Sequence, residues 1–223
     1  MRHCRLVTMR HFWSVALAVC AFSHAAFAQS FEAAVGGGRT LFPGSSSMLG
    51  TATADPASGA YAMKDGFRIA FRMALNTRRF MGHEFGYAYN HTSIDAPATT
   101  ITSGIGRPGQ PATQTVPAST ISVPAHQGFY DFLVYAVPEG KHIRPFVCGG
   151  VQFTAFSQPG AYYGNRETKY GINYGGGLKV QVSGPWGFRL DARQYNMSKP
   201  FNLPNASGRM LMWEYSAAVA FFL

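Results

Sequence analysis

Charge is scarce in this chain. Only 13% of its 223 residues are Asp, Glu, Lys or Arg, with 10 acids against 19 bases. That is about half the share usual for a soluble domain. With aromatics at 14%, this balance excludes a disordered chain, a collagen-like repeat or a coiled coil. Cysteine is almost missing too. Two of the three, Cys4 and Cys20, lie in the first twenty residues, leaving Cys148 alone. No intramolecular disulfide framework can form from it, and no paired cysteine–histidine metal spacing exists. Cys148 therefore reads as a small packing residue. Beyond the N-terminal stretch no run reaches the roughly 18 apolar residues of a spanning helix. The 25 glycines and 13 prolines argue against long helices of any kind.

The first residues form a leader. Arg2, Arg5 and Arg10 precede an apolar segment over 12–22, and Ala26-Phe27-Ala28 supplies small residues around a cleavage point. This is the pattern of an export signal over 1–28, cut after Ala28. The apolar segment is too short to span a bilayer, for which about 20 residues are needed. Residues 29–223 then form one domain.

Period-2 alternation runs through that domain. At the end of the chain Leu211, Trp213, Tyr215, Ala217, Val219, Phe221 and Leu223 share one face, opposite Met210, Met212, Glu214 and Ser216. Upstream, Trp186, Phe188, Leu190 and Ala192 oppose Arg189, Asp191 and Arg193. Tyr170, Ile172, Tyr174, Leu178 and Val180 oppose Asn173, Lys179 and several glycines. Val147, Val151 and Phe153 oppose Arg144 and Cys148; Tyr130, Phe132 and Val134 oppose Asp131. Phe85, Tyr87 and Tyr89 oppose Glu84, Phe67 to Leu75 oppose Arg68 and Arg72, and Phe31, Ala33 and Val35 oppose Glu32. That makes eight strands.

Their links alternate in length. Residues 76–78, 138–141 and 183–185 are tight connections, whereas 43–65, 91–127, 157–169 and 197–208 are long. A soluble sandwich has no reason to sort its loops this way, but an outer-membrane barrel has tight turns on one side and long loops on the other. In hydrocarbon every backbone amide must be paired, so strands can cross only as a closed cylinder. The expected fold is all-β, an eight-stranded antiparallel up-and-down transmembrane β-barrel. Tyr170, Trp186, Trp213 and Tyr215 are its candidate membrane-interface aromatics. The segment 91–127, rich in Thr, Ser, Pro and Ala, reads as a loop without a fold of its own.

The run Lys169-Tyr170-Gly171-Ile172-Asn173-Tyr174-Gly175-Gly176-Gly177-Leu178-Lys179, followed by Trp186-Gly187-Phe188-Arg189-Leu190-Asp191-Ala192-Arg193-Gln194-Tyr195, resembles the small outer-membrane β-barrel domain family, which includes the OmpA-like barrels. Arg144-Pro145-Phe146-Val147-Cys148-Gly149-Gly150 is similar to that family's fifth strand. The resemblance implies a Gram-negative outer-membrane protein with no shared catalytic site and no cofactor. It also implies that the C-terminal strand is read by the barrel assembly machinery, although Leu223 stands where such barrels typically end on an aromatic residue.

Alternation places Glu32, Glu84, Asp131, Asp191 and Glu214 inside, with Arg68, Arg72, Arg144, Lys179, Arg189 and Arg193. Five acids against six bases fit a lumen plugged by paired charges, since eight strands enclose only enough space for side chains. In this reading Arg189, Asp191 and Arg193 meet Glu214 on the neighbouring strand. Losing Glu214 should then cost more stability than losing Glu167 in a loop. The same charges could instead line a narrow pore for ions or small solutes.

Three other classes fit less well. His91-Thr92-Ser93 resembles the His-x-Ser of an outer-membrane lipid A deacylase, but Glu84 falls on the opposite face from His91 and residue 105 is Ile where that enzyme has an acid. Asp55, Asp65 and Asp95 read as solvated loop residues rather than acid–base pairs. No basic stripe or recognition helix suggests nucleic acid. The expected partners are outer-membrane lipid and lipopolysaccharide, met by rim residues such as Arg39, Lys64, Arg107, Lys199 and Arg209. An extracellular ligand on the long loops is left unspecified.

Overall fold

The structure is a computed structural model that describes residues 30–103, 112–157 and 166–223. The segment expected to be a leader, with its cleavage point at Ala28, lies outside the described residues, as do 104–111, which include Arg107, and 158–165. Eleven strands follow one another: β1 (Ser30–Leu41), β2 (Met48–Thr51), β3 (Ala60–Arg78), β4 (Met81–Ala96), β5 (Thr99–Ser103), β6 (Ala112–Val116), β7 (Ser119–Tyr135), β8 (Ile143–Phe156), β9 (Glu167–Ser183), β10 (Trp186–Ser198) and β11 (Arg209–Phe222). Eight of them pair antiparallel in the order β1-β11-β10-β9-β8-β7-β4-β3, and β3 pairs back to β1 to close the ring. No edge is left in that ring, which removes the unpaired amides an open sheet would carry.

Alternation sets the two surfaces. On β3 the side chains of Phe67, Ile69, Phe71, Met73 and Leu75 are exposed on the outer wall, while Arg68 and Arg72 are buried within. Val147, Val151 and Phe153 on β8 and Phe188 and Leu190 on β10 continue the outer apolar band. The tight turns gather at one end of the cylinder. Two of them rest on glycines in left-handed backbone, Gly140 at φ 84° and Gly184 at φ 53°, where a side chain would be strained.

At the other end the strands outrun the expected loops. β4 continues to Ala96 and β7 already begins at Ser119, in register from His91↔Pro124 to Ala96↔Ser119. β5 and β6 form a further hairpin between them. Most of 91–119 is thus laddered rather than loop, a correction to the composition-based reading. The reason is that Ile94, Ala96, Val123 and Ala125 all turn inward and are buried against other strands, so the burial missing locally is supplied across the barrel. β3, at 19 residues, likewise exceeds the roughly ten of a spanning strand. β2 pads its upper end.

Asp55, Asp65 and Asp95 are open to solvent, as expected, and each also holds local structure. Asp65 accepts the Phe42 N–H at 2.8 Å, and Asp55 caps a short 3-10 turn by accepting from Ala57 N–H at 2.9 Å. Asp95 accepts from Thr120 Oγ1 at 2.7 Å and pairs with Lys64 at 3.3 Å, joining β3, β4 and β7 above the apolar band. The Thr120 hydrogen bond, with help from Lys64, lowers the Asp95 carboxyl below its ordinary value. A lowered folded-state value stabilises the fold above the unfolded pKa, and that contribution disappears as pH falls through the folded value. Replacing Thr120 with Val is expected to raise the Asp95 pKa toward that of a free carboxylate, read by carboxyl NMR titration of the refolded protein.

Candidate functional site

The interior is layered. Toward the tight turns a small apolar group of Ala74, Leu133, Tyr135, Phe146 and Cys148 is interleaved with Arg144 and Lys179, which stand over the rings of Tyr135 and Phe146. Above it sits a layer of charges, then a layer of amides and hydroxyls, then an apolar roof inside the extended strands.

All eleven residues singled out for the interior are buried, none more than 7% exposed. Ten of them interlock. Asp191 takes a bidentate pair of hydrogen bonds from Arg189 Nε and Nη2, at 2.9 and 3.0 Å, and accepts again from Arg193 at 2.8 Å. Glu84 meets Arg189 at 2.5 Å and Arg193 at 2.7 Å. Arg193 also reaches Asp131, which accepts a further bond from Asn173. Glu32 holds Lys179 and lies 3.4 Å from Arg189.

Glu214 does not pair as the sequence suggested. Although Arg193 is its cross-strand partner in register, the carboxylate is taken by Arg68, at 3.1 Å, and Arg72. Tyr195 donates its hydroxyl to it at 2.7 Å and Ser216 at 2.6 Å. Arg68 and Arg72 stand on β3, which reaches Glu214 across the lumen, while Arg193 is held by acids lower down. Arg144 is the second departure. Among the described residues it joins no acid, and its guanidinium lies instead 3.8 Å from the Tyr135 ring centroid.

Several contributors carried no signal of charge. Phe129 turns inward and its ring is ringed by Arg68, Arg72 and Arg193 at 5.3–5.9 Å, within cation–π range. It shares parity with Asp131, so the alternation could have found it. It fits because Gly86 has no side chain: a Cβ there would fall 2.0 Å from the Phe129 ring. The amide layer comprises Thr40, Asn90, Gln127, Gln152 and Thr154: Thr40 donates to Asn90 at 3.0 Å, Gln127 to Gln152 at 3.3 Å and Thr154 to Gln152 at 2.7 Å, and Arg68 bridges the two halves by donating to both Asn90 and Gln127. The roof is built of Phe42, Leu49, Tyr61, Met63, Ile94, Val123, Phe156, Met197, Met210 and Met212, all buried. Four methionines suit an irregular space, because the unbranched thioether adapts to gaps.

The four aromatics assigned to the interface stand on the outer wall. Trp186 opens β10 beside the turn end and packs edge-on against Phe221 at 4.9 Å. Trp213 stacks on Tyr215 at 6.1 Å toward the loop end, and Tyr170 is 75% exposed. Near them Arg39 is not a loop residue but part of β1, exposed beside Tyr215. His91 points outward onto Phe67 at 5.0 Å, and Thr92 turns inward to donate to the Val123 carbonyl. Among the described residues no hydrogen bond joins His91 to Ser93. The lone Cys148 is buried and free. Among the described residues no group of three His, Cys, Asp or Glu is placed to hold a metal.

Glu167 is no neutral comparison for Glu214, because it accepts the Phe201 N–H and pairs with Lys169 at 2.5 Å. Glu139, exposed in a tight turn, serves instead. Glu214→Ala leaves two buried guanidiniums without their carboxylate and is expected to cost about 3–5 kcal/mol in urea unfolding of the refolded barrel. Glu139→Ala should stay within about 0.5 kcal/mol. The interior glycines make a second test. A Cβ on Gly175 would lie 2.3 Å from the Ala192 carbonyl oxygen and 2.7 Å from Arg193 Cα. Gly175→Val is therefore expected to abolish the heat-modifiable folded band on gels, whereas Gly149→Ala, with its nearest neighbour at 3.8 Å, should retain it.

Comparison with known proteins agrees with this architecture. The crystal structure of the outer membrane protein OprG from Pseudomonas aeruginosa superposes with a TM-score of 0.60 at 10% identity, over 88% of this chain and 96% of that one. The N-terminal β-barrel domain of Pseudomonas aeruginosa OprF gives a TM-score of 0.50 at 11% identity, over 87% and 97%. At such identities the likeness speaks to the fold alone. No curated protein sequence matches the chain significantly. The family profile of the outer membrane protein beta-barrel domain matches residues 14–216. With its closed eight-stranded ring, apolar wall and charged interior, the chain belongs to the outer membrane protein beta-barrel domain family and is a protein of the bacterial outer membrane.

Proposed function

We propose that this protein is a closed, non-conducting barrel with a structural and surface-contact role, its extended strands serving as a rigid platform outside the membrane. The observation that carries this reading is the apolar roof. Ions crossing the lumen would have to pass Met63, Met197, Met210, Met212 and Phe156, each at most 3% exposed, after leaving a charge layer whose acids are all bound by bases. Opening such a path means breaking buried pairs, at about 3–5 kcal/mol for each partner left alone.

The platform supports the contact role. β4 and β7 rise together above the apolar band and carry the β5–β6 hairpin, and β2 braces the side against β3. Exposed bases at this end, Lys64 and Arg209 among them, suit the anionic groups of lipopolysaccharide in the surrounding leaflet. Strand β11, apolar along its outer face, is the segment offered to the barrel assembly machinery during insertion.

Planar-bilayer recording of the refolded protein tests the reading. No steady open level is expected. A sustained conductance that changes with Glu214 or Arg193 substitutions would favour the narrow pore instead.

A further inference from the structure

The interior charges do not balance. Five acids, Glu32, Glu84, Asp131, Asp191 and Glu214, face six bases, and the supernumerary base is Arg144. Arg144 lies in register beside Lys179, which lies beside Arg189, so three cations stand side by side near the turn end. Glu32 serves the latter two. Arg144 is 7% exposed, and two of its guanidinium nitrogens, Nε and Nη2, are buried without a hydrogen-bond partner. A buried guanidinium in that condition is costly unless an anion meets it.

A place for that anion adjoins it. A cavity of about 210 Å³ opens at the turn end of the barrel, with Arg144, Lys179, Lys141 and His142 in its wall. Glu139 and Leu223 also line it. Tyr135 holds the guanidinium from one side, with its ring centroid 3.8 Å away, and its hydroxyl oxygen accepts from Lys179 at 2.8 Å. Asn76, whose amide donates to Ser30 Oγ at 2.7 Å, adds a polar wall. The space is small for a drug-sized ligand and suits a compact oxyanion. Guanidinium geometry favours a planar or tetrahedral oxyanion that can accept two parallel hydrogen bonds.

We propose that this cavity is a phosphate-binding site on the periplasmic side, with Arg144 as its anchor and Lys179 as its second cation. The phosphate has two sources, a phospholipid headgroup of the inner leaflet or free phosphate in the periplasm. It completes the interior charge balance from outside the chain.

The test is NMR of the refolded, arginine-labelled barrel, following the Arg144 Nε–H and the amides of His142 and Gln181. Titrating inorganic phosphate into the protein in uncharged maltoside micelles should move these signals saturably. The same titration in phosphatidylglycerol nanodiscs separates the sources. Signals already at their bound positions and indifferent to added phosphate identify the headgroup, whereas an unchanged titration identifies free phosphate. Arg144→Gln should weaken phosphate binding at least about tenfold as read from the His142 and Gln181 amides. Lys141→Gln, which leaves the guanidinium intact, should change it much less. Should Arg144→Gln fail to fold, Arg144→Lys, which keeps the charge but loses the planar fork, is expected to weaken binding severalfold. An Arg144 signal unmoved by phosphate in micelles and identical in nanodiscs and micelles would overturn the proposal, as would Arg144→Gln binding phosphate as tightly as the parent.

Discussion

A peptide group in hydrocarbon has nowhere to find a hydrogen bond except another peptide group, and the rest of this molecule follows from that constraint. Eight strands meet it by closing on themselves, β1 pairing with both β11 and β3. Closure at that strand number leaves an interior just wide enough for side chains. Whatever points inward must therefore fill the space and satisfy its own polar groups, because bulk water cannot do so. The ionic layer meets this condition by interlocking carboxylates and guanidiniums, with Asp191 and Glu84 each held by more than one arginine.

Filling a narrow cylinder with arginines needs room, and glycine provides it. Gly175 stands opposite Arg193 and Gly177 opposite Asp191 in the β9–β10 ladder, where an added Cβ would strike the neighbouring backbone. Gly86 does the same for Phe129. Large and small residues alternate across facing strands so that the guanidiniums come within cation–π reach of aromatic rings. The roof solves a different problem. Above the lipid the strands need not be apolar outside, but their inner faces still meet one another, and Met, Phe and Ile bury there as in any soluble core.

Much of this was readable in the residues. The period of two placed Arg68, Arg72, Glu84, Asp131, Arg189, Asp191, Arg193 and Glu214 on the face opposite Phe67, Phe85, Tyr130, Phe188 and Tyr215. The parity of short and long links supplied the topology. What misled was composition taken locally: Thr92, Ile94 and Ala96 alternate with Ser93 and Asp95, but the contrast is too weak to stand out in a segment full of Thr, Ser and Ala. Their burial depends on Val123, Ala125 and Tyr61, which come from other strands. The same holds for Asp65, whose partner, the Phe42 N–H, belongs to the preceding connection.

The sequence by itself determined the number of strands in the closed ring and the face each charged side chain takes, because the pleat turns successive side chains to opposite sides. It could not say which acid meets which base. Parity puts a residue inside without giving its height along the axis or the strand it faces across the lumen. Those depend on the closure and stagger of the whole ring. Only the closed ring therefore gave Glu214 to Arg68 and Arg72 and left Arg144 beside a cavity at the turn end.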